Sequence, residues 1–97
     1  MAYTYLLRCS DGSLYCGWTT DLEQRVKTHN SGKGGKYTRS KLPVELVWSY
    51  STDDKILAQR LEFAIKKLSK EKKERLVLEP KLIESFCSKI LEGSCDE

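Results

Sequence analysis

The pattern of apolar and polar positions changes along the chain and predicts strands first, then mostly helices. The segments "YTYLLRC" and "SLYCGW" are rich in aromatic and apolar residues, which is typical of β-strands. The sequence "SDGS" separates them, and its Asp11-Gly12 dipeptide indicates a hairpin turn. In "VELVWSY" the alternation predicts a third strand with Val44, Leu46 and Trp48 on one face.

A first helix is predicted between the second and third strands. Thr20 followed by Glu23 forms a capping box at the start of a helix that runs from about Asp21 to Asn30. Gly32 can end this helix in a left-handed conformation. A glycine-rich, basic loop is predicted over residues 31–43.

Three further helices are predicted after the third strand. Thr52, followed by two aspartates in the first turn, begins one that reaches about Leu68. Ser69 caps the short segment "KEKKERLV", and Pro80 suits the first turn of a terminal helix, "KLIESFCSKIL". The predicted order is therefore ββαβααα, an α+β fold in which a three-stranded antiparallel sheet, with β1 as the inner strand, is flanked by helices.

Length and composition fit one domain. The 97 residues, with 39% hydrophobic content, leave no room for a second globular unit. We assign residues 1–78 to the domain and residues 79–97 to a helical extension that packs on it or projects from it. No apolar run is long enough to span a membrane. We expect a monomer.

The cysteines lack the spacing of a zinc site or a CxxC motif, and no apolar signal segment precedes them. They are Cys9, Cys16, Cys87 and Cys95. We interpret them as reduced thiols in a cytoplasmic protein.

Positive charge is concentrated in the glycine-rich loop, although the net charge is only +3. The stretch from Lys27 to Lys41 contains no acidic residue. A loop of this kind can bind nucleic-acid phosphates without reading the base sequence, or can simply be a solvated face. The loop residues predicted to bind nucleic acid are Lys33, Lys36, Tyr37, Arg39 and Lys41.

Helical geometry directs two polar residues of the first helix inward. At about 100° per residue, Leu22 and Val26 define the buried stripe, His29 lies beside Leu22 on it and Arg25 lies at the stripe's edge. Two groups that can carry positive charge therefore stack one turn apart. The structural alternatives are a histidine stabilised by the helix dipole and an arginine at the rim of the core. Arg25 is the stronger functional candidate, because a buried guanidinium requires an anion.

Glu62 is the candidate metal ligand. It lies at the border of the apolar face set by Leu61 and Ile65, and it can alternatively form a surface ion pair with Lys66. A lone carboxylate suits one Mg²⁺ or Mn²⁺ ion that keeps most of its waters.

Tyrosines on the two paired strands complete the candidate site. Tyr3, Tyr5 and Tyr15 have a structural interpretation as half-buried packing residues. Their hydroxyls, together with an inward arginine, a histidine, a lone carboxylate and a lysine-rich loop, also suit metal-assisted attack on a phosphodiester.

Five motifs carry a resemblance to a known family: "YTY", "YCG" ten residues later, "TTDLEQRVKTHN", "KYTR" and "AQRLEFAIKK". Together they resemble a GIY-YIG nuclease domain, in particular its small stand-alone bacterial subfamily, from Ala2 to about Leu76. The resemblance implies a site made of the two triplet tyrosines, the glycine after the second, the arginine that contacts the scissile phosphate, a histidine found in some members and the metal-binding glutamate. In that order these are Tyr5, Tyr15, Gly17, Arg25, His29 and Glu62. Gly17 is also predicted to contact the nucleic acid.

The chain also departs from the family pattern. Tyr3 and Thr4 replace the glycine and isoleucine of the first triplet, and Cys16 replaces the isoleucine of the second. These strand positions affect packing rather than chemistry. Members with nuclease roles usually carry an additional DNA-binding, zinc or partner-docking domain, whereas this chain adds only a helical stretch. A protein partner for targeting is therefore a further hypothesis.

The resemblance implies a metal-dependent endonuclease that hydrolyses phosphodiester bonds, with DNA as substrate and a structure-specific repair role as finer hypotheses. Tyr5 is the expected general base, while Tyr15 and His29 stay open as alternatives. Two other classes compete with the enzyme. One is a nucleic-acid-binding module without catalysis, and the other is a protein-interaction domain that docks through its terminal helix. The apolar residues of that helix are Leu82, Ile83, Phe86, Ile90 and Leu91.

Overall fold

The computed structural model describes residues 1–85, except for the side chains of residues 36 and 37. The strands are β1 (Ala2–Arg8), β2 (Leu14–Thr19) and β3 (Glu45–Thr52). The helices are α1 (Leu22–Asn30), α2 (Lys36–Arg39), α3 (Lys55–Lys66) and α4 (Lys70–Leu78). The antiparallel sheet has the order β2-β1-β3, which confirms the predicted α+β class and the inner position of β1.

The hairpin of β1 and β2 is confirmed, and its register sets the site. Gly12 has a φ of 88°, and the Asp11 carboxylate accepts hydrogen bonds from the backbone and hydroxyl of Ser13 at 3.0 and 2.6 Å. Across the ladder, Tyr5 is paired with Gly17. Directly opposed residues share a face of a sheet, so Tyr5 extends over a position that has no side chain.

A β-bulge changes the predicted faces of β3. β1 pairs Leu6 with Trp48 but Leu7 with Leu46, which leaves Val47 as the extra residue. Leu6 and Leu7 face opposite sides of the sheet, and so do their partners. The prediction that Leu46 and Trp48 share one face is therefore wrong. Trp48 is buried, whereas Leu46 is 39% exposed.

Each face of the sheet carries its own apolar cluster. On one side, residues of all three strands, Leu6, Leu14, Cys16 and Trp48, pack against Leu61 and Ile65 of α3 and Leu76 of α4. On the other side lie Tyr5, Leu7, Cys9 and Val44, with Leu22 and Val26 of α1 against them. Helices α1 and α3 thus cover opposite faces of β1, and β2 is an edge strand.

Two helix caps differ from the prediction because the preceding strands extend further than expected. Thr19 ends β2, and the N-cap of α1 is Asp21, whose carboxylate accepts from the backbone of Gln24 at 3.1 Å. Likewise Thr52 ends β3, and Asp54 is the N-cap of α3. The predicted caps at Thr20 and Thr52 are therefore wrong.

Other helix boundaries are confirmed. Gly32 follows α1 with a φ of 86°, as its position predicts. Ser69 caps α4, accepting a hydrogen bond from the backbone of Lys72 at 3.3 Å. Arg8 anchors α4 to β1 through two 2.7 Å hydrogen bonds to the Glu74 carboxylate.

The second half of the predicted terminal helix lies outside the described residues, together with Phe86, Ile90 and Leu91. Residues 82–85 are helical, and Ile83 is buried in the cluster beside α3. Cys9 and Cys16 are buried free thiols, while Cys87 and Cys95 also lie outside the described residues. None of the helices in residues 1–85 has the length and apolar content needed to cross a membrane.

Candidate active site

A cleft of about 300 Å³ opens at the edge strand β2, beside the start of α1. Five of the residues predicted from the sequence line it: Tyr5, Tyr15, Gly17, Arg25 and Glu62. The structure adds Trp18, Thr19 and Thr20 to the lining. Because β2 has no neighbour on its outer side, α1 and α3 can direct side chains to the same edge from opposite faces of the sheet. A site assembled this way joins residues that are far apart in the sequence.

Gly17 gives the Tyr5 hydroxyl its access to the cleft. An ideal Cβ on Gly17 would lie 2.5 Å from the Tyr5 hydroxyl oxygen and 2.7 Å from its ring carbon Cζ. Tyr5 itself is only 1% exposed, so its ring has little freedom to move aside. The glycine therefore has a steric role in the described geometry, whereas its predicted contact with nucleic acid stays a prediction.

His29 lies behind Tyr5 and is fully buried. Its Nε2 is 3.3 Å from the Tyr5 hydroxyl oxygen, and its Nδ1 is 2.8 Å from Oγ1 of Thr38 in α2. The ring of Tyr15 packs edge-on against the imidazole, with ring centroids 5.3 Å apart. The histidine thus contacts both tyrosines of the cleft without lining it.

Thr38 and Gly34 were not among the residues predicted from the sequence. Thr38 is fully buried, and α2 itself was predicted as loop. A Cβ on Gly34 would lie 2.6 Å from Cα of His29, so only glycine lets this loop pack against the end of α1. The threonine of the "KYTR" motif is the sequence signal for this contact. Roles were predicted for the other three residues of that motif and none for the threonine.

Burial controls the protonation of the Tyr5–His29 pair. Burial raises the pKa of Tyr5 to about 12, and Tyr15 adds to this, while the nearby Arg25 guanidinium acts against it. Burial, followed by the charge of Arg25, lowers the pKa of His29. At neutral pH the phenol is protonated and the imidazole is neutral. The imidazole is therefore the neutral member of the two stacked groups, each of which can carry positive charge.

Arg25 is exposed and lines the cleft. The interpretation that its guanidinium is buried is therefore wrong. An exposed guanidinium at the mouth of a cleft is instead available to an external anion such as a phosphate.

Glu62 reaches the cleft and also forms the alternative ion pair. Its side chain is 22% exposed, and Nζ of Lys66 lies 3.2 Å from its Oε2. The Cys16 thiol lies 3.8 Å from the Glu62 carbonyl and joins this turn of α3 to β2. Within residues 1–85 there is no group of three or more His, Cys, Asp or Glu side chains that could hold a metal ion. One half-buried carboxylate fits a hard divalent ion whose other ligands are waters and substrate oxygens.

The basic loop contributes no described side chain to the cleft lining. Lys33 and Arg39 are exposed, whereas Lys41 forms a 3.0 Å ion pair with Asp11 at the hairpin turn. Among the described side chains of the loop, none lines the cleft. The side chains of Lys36 and Tyr37 lie outside the described part. A role of this loop in nucleic-acid binding stays a prediction.

Comparisons with known proteins identify the family of the chain. The family model of the GIY-YIG catalytic domain matches residues 1–75. A UPF0213 protein of Bacillus licheniformis is 51% identical over 77 residues, which are 79% of each chain. A UPF0213 protein of Lactococcus lactis subsp. cremoris is 47% identical over 90 residues, which are 92% of each chain.

Two solution NMR structures are also similar. One, of a UPF0213 protein from Bacillus halodurans, has a TM-score of 0.52 and 50% identity and covers 79% of this chain and 83% of its own. The other, of a protein from E. faecalis, has a TM-score of 0.56 and 40% identity, with 82% and 85% covered. The sequence motifs, the fold and these relatives agree, and the chain belongs to the GIY-YIG catalytic domain family.

Proposed function

We propose that this protein is a metal-dependent endonuclease that hydrolyses phosphodiester bonds in nucleic acid. The observation that carries the proposal is the convergence of Tyr5, Arg25 and Glu62 in one cleft, although they come from β1, α1 and α3. A phenol, a guanidinium and a carboxylate are the groups needed to accept a proton, bind a phosphate and hold a cation. Membership of the GIY-YIG catalytic domain family supports the same chemistry.

The reaction follows from the roles of these groups. Water attacks phosphorus, a new P–O bond forms and the bond to the leaving oxygen breaks. The proton of the water passes to the oxygen of Tyr5, while Arg25 binds the phosphate oxygens on which negative charge increases. Glu62 would hold the Mg²⁺ or Mn²⁺ ion, whose charge stabilises the phosphate and favours ionised Tyr5.

The pKa of Tyr5 limits this mechanism in the free protein. With the pKa at about 12, only about one phenol in 100,000 is ionised at pH 7. Arg25 already acts to lower this pKa. The reactive phenolate is therefore a minor form, and we expect the cleavage rate to rise with pH.

The finer parts of the proposal concern substrate and context. We propose DNA as the substrate, with a structure-specific and repair-related role, on the basis of the family to which the chain belongs. Exposed Lys33 and Arg39 can contact phosphates of the substrate beyond the small cleft. We also propose a monomer that acts in the cytoplasm, where the buried free thiols Cys9 and Cys16 would stay reduced, and a protein partner that directs it to its target.

A cleavage screen tests the proposal. Purified protein is incubated with labelled flaps, forks, junctions, linear duplexes and single strands of DNA, and with matched RNA, in Mg²⁺, Mn²⁺ or chelator. We expect cleavage with a divalent ion, none with chelator, and none by Arg25→Ala. The matched control is Arg60→Ala, since Arg60 is an exposed arginine of α3 outside the cleft lining.

The other outcomes identify the competing functions. Metal-independent binding of these substrates without cleavage would support a nucleic-acid-binding module and contradict the enzyme. Absence of both binding and cleavage would support the protein-interaction domain. Cleavage of RNA but not DNA would keep the reaction and overturn the substrate.

A further inference from the structure

The two ring nitrogens of His29 contact different partners, and the position of the proton decides what each contact does. Nδ1 is 2.8 Å from Oγ1 of Thr38, and Nε2 is 3.3 Å from the hydroxyl oxygen of Tyr5. A neutral imidazole has one donor and one acceptor nitrogen. If Nδ1 carries the proton, His29 can accept a proton from Tyr5. If Nε2 carries it, His29 instead donates a hydrogen bond to Tyr5.

The hydroxyl of Thr38 distinguishes these two tautomers. Thr38 is fully buried, and within residues 1–85 the one hydrogen-bond partner of its hydroxyl is Nδ1 of His29. A proton on Nδ1 would point at this hydroxyl, whose own proton would then have no acceptor. A buried donor without an acceptor is strongly disfavoured. With Nδ1 as acceptor, Thr38 donates to it and the hydroxyl proton is satisfied.

We infer that Thr38 is a positioning residue that keeps the proton of His29 on Nε2, so that the imidazole donates a hydrogen bond to the Tyr5 oxygen. In this arrangement the hydroxyl proton of Tyr5 is free to point into the cleft. After Tyr5 loses it, the phenolate oxygen is stabilised by the Nε2 proton and by the Arg25 guanidinium. This inference rests on the proposed function, because it assigns how Tyr5 serves as the base.

His29 does not act as the base in this step, as the proton balance shows. The proton of the attacking water moves to the phenolate oxygen and regenerates neutral Tyr5. His29 keeps its Nε2 proton throughout and stays neutral, which agrees with the lowered pKa of its ring. Of the three candidate bases named by the sequence, His29 is the one that this tautomer excludes.

Local packing explains why Thr38 can fix the imidazole. Gly34 lets the loop approach the end of α1 closely, and the turn of α2 then presents Thr38 to the ring from the side opposite Tyr5. The ring is also held edge-on by Tyr15. A side chain fixed on three sides has one orientation, so the hydroxyl selects between tautomers rather than between rotamers.

Nitrogen NMR spectroscopy tests the inference directly. His29 is the one histidine of the chain, so a long-range proton–nitrogen spectrum of uniformly labelled protein contains a single imidazole. We expect a protonated-type shift for Nε2 and an unprotonated-type shift for Nδ1 near neutral pH. The opposite pattern, with the proton on Nδ1, would overturn the inference even if the enzyme is active.

Variants separate positioning from packing. Thr38→Val keeps the shape but removes the hydroxyl, and we expect a tautomer mixture and cleavage about tenfold slower, with the rise of the rate displaced to higher pH. Thr38→Ser should restore both. Thr28→Val is the matched control, because within residues 1–85 the Thr28 hydroxyl bonds only to Gln24 of α1. An unchanged tautomer in Thr38→Val would overturn the role of Thr38.

The spectrum does not depend on activity or on any variant. If Thr38→Val fails to fold, the tautomer of the unmodified protein still decides the hydrogen-bond assignment. If the protein cleaves no substrate but shows the Nε2 tautomer, the proposed function fails while the positioning of His29 by Thr38 is supported.

Discussion

The two faces of the central strand β1 are built from different chemistry. Toward α3, the buried side chains are almost all apolar, and the buried hydroxyl of Thr4 donates to the carbonyl of Ala58 at 2.8 Å. Toward α1, buried polar groups contact one another, with His29 between Tyr5 and Thr38. The first face resembles an ordinary core, whereas the second combines an apolar cluster with a buried hydrogen-bonded network. We interpret the first as the source of stability and the second as the source of function.

The buried polar groups of the α1 face lie beside the cleft and are held in their neutral forms. Desolvation raises the pKa of Tyr5 and lowers that of His29. Both shifts favour the neutral forms, so the network is compatible with burial as long as no net charge enters it. The Arg25 guanidinium at the mouth of the cleft is the group that favours the charged phenolate. The difference between the faces is therefore a difference in what substitutions should change.

The largest expected effect is on activity, from Tyr5→Phe on the α1 face. Removing the base should lower the cleavage rate by about 10²- to 10⁴-fold, while the loss of one hydrogen bond costs about 1 kcal/mol of unfolding free energy. Single-turnover cleavage between pH 7 and 10 and urea denaturation measure the two. For the unmodified enzyme, a Tyr5 pKa of about 12 predicts a rate that rises about tenfold per pH unit over this range.

Tyr15→Phe is the matched control for that experiment. This variant should slow the reaction and keep its pH dependence. The substitution removes the Tyr15 hydroxyl but leaves the base, Tyr5, in place. Substantial activity in Tyr5→Phe, with a rate that titrates near neutral pH, would identify His29 as the base. It would also contradict the functional role of the α1 face, since the Tyr5 ring would then have only a packing role.

The second prediction concerns Leu61→Ala on the α3 face, which should lower stability rather than activity. Leu61 is fully buried, and truncation of such a residue should lower the free energy of unfolding by about 2–5 kcal/mol. Cleavage by the folded fraction should be unchanged. Ile56→Ala is the control on the same helix, because Ile56 is 62% exposed and its truncation should have little effect on stability. Equal losses of stability in both variants would contradict the assignment of the core.

The sequence predicted the elements better than the contacts between them. The hairpin turn at Gly12, the helix end at Gly32 and the cap at Ser69 are local, and each depends on one residue with special backbone or side-chain properties. The caps at Asp21 and Asp54 were displaced by one or two residues because strand pairing extended the preceding strands. Pairing partners are distant in sequence, so local signals could not reveal them.

The same distinction applies to the site. Five of the residues that line the cleft were predicted from sequence motifs, whereas Trp18, Thr19 and Thr20 were not. The bulge at Val47 and the contact of Thr38 with His29 depend on register and on a close approach of two backbones at Gly34. Hydrophobic periodicity carries no information on either, because a glycine that permits contact has no side chain to add to the pattern.

The third prediction tests how the two strands of the hairpin position the base. Gly17→Ala places a methyl group against the Tyr5 hydroxyl, and the ring must shift. A displacement of about 1 Å can reduce cleavage by about 100-fold. In the Tyr5→Phe background the closest contact is missing, so the loss of stability caused by Gly17→Ala should be smaller. A double-mutant cycle in urea denaturation measures this coupling, and strict additivity would show that the two residues do not interact.

The smallest expected effect is a difference in nucleic-acid binding between two lysines of the basic loop. Lys33 is exposed, whereas Lys41 is already paired with Asp11 at 3.0 Å. If the loop binds phosphates, Lys33→Gln should reduce the salt dependence of nucleic-acid affinity by about one phosphate contact, and Lys41→Gln should reduce it less. Fluorescence anisotropy over a series of salt concentrations gives both slopes without requiring cleavage.

Neutralising Lys33, Lys36 and Lys41 together should flatten the slope further with little change in base preference. An affinity that does not depend on salt in the unmodified protein would mean that the loop is a solvated face and that binding depends on the cleft alone.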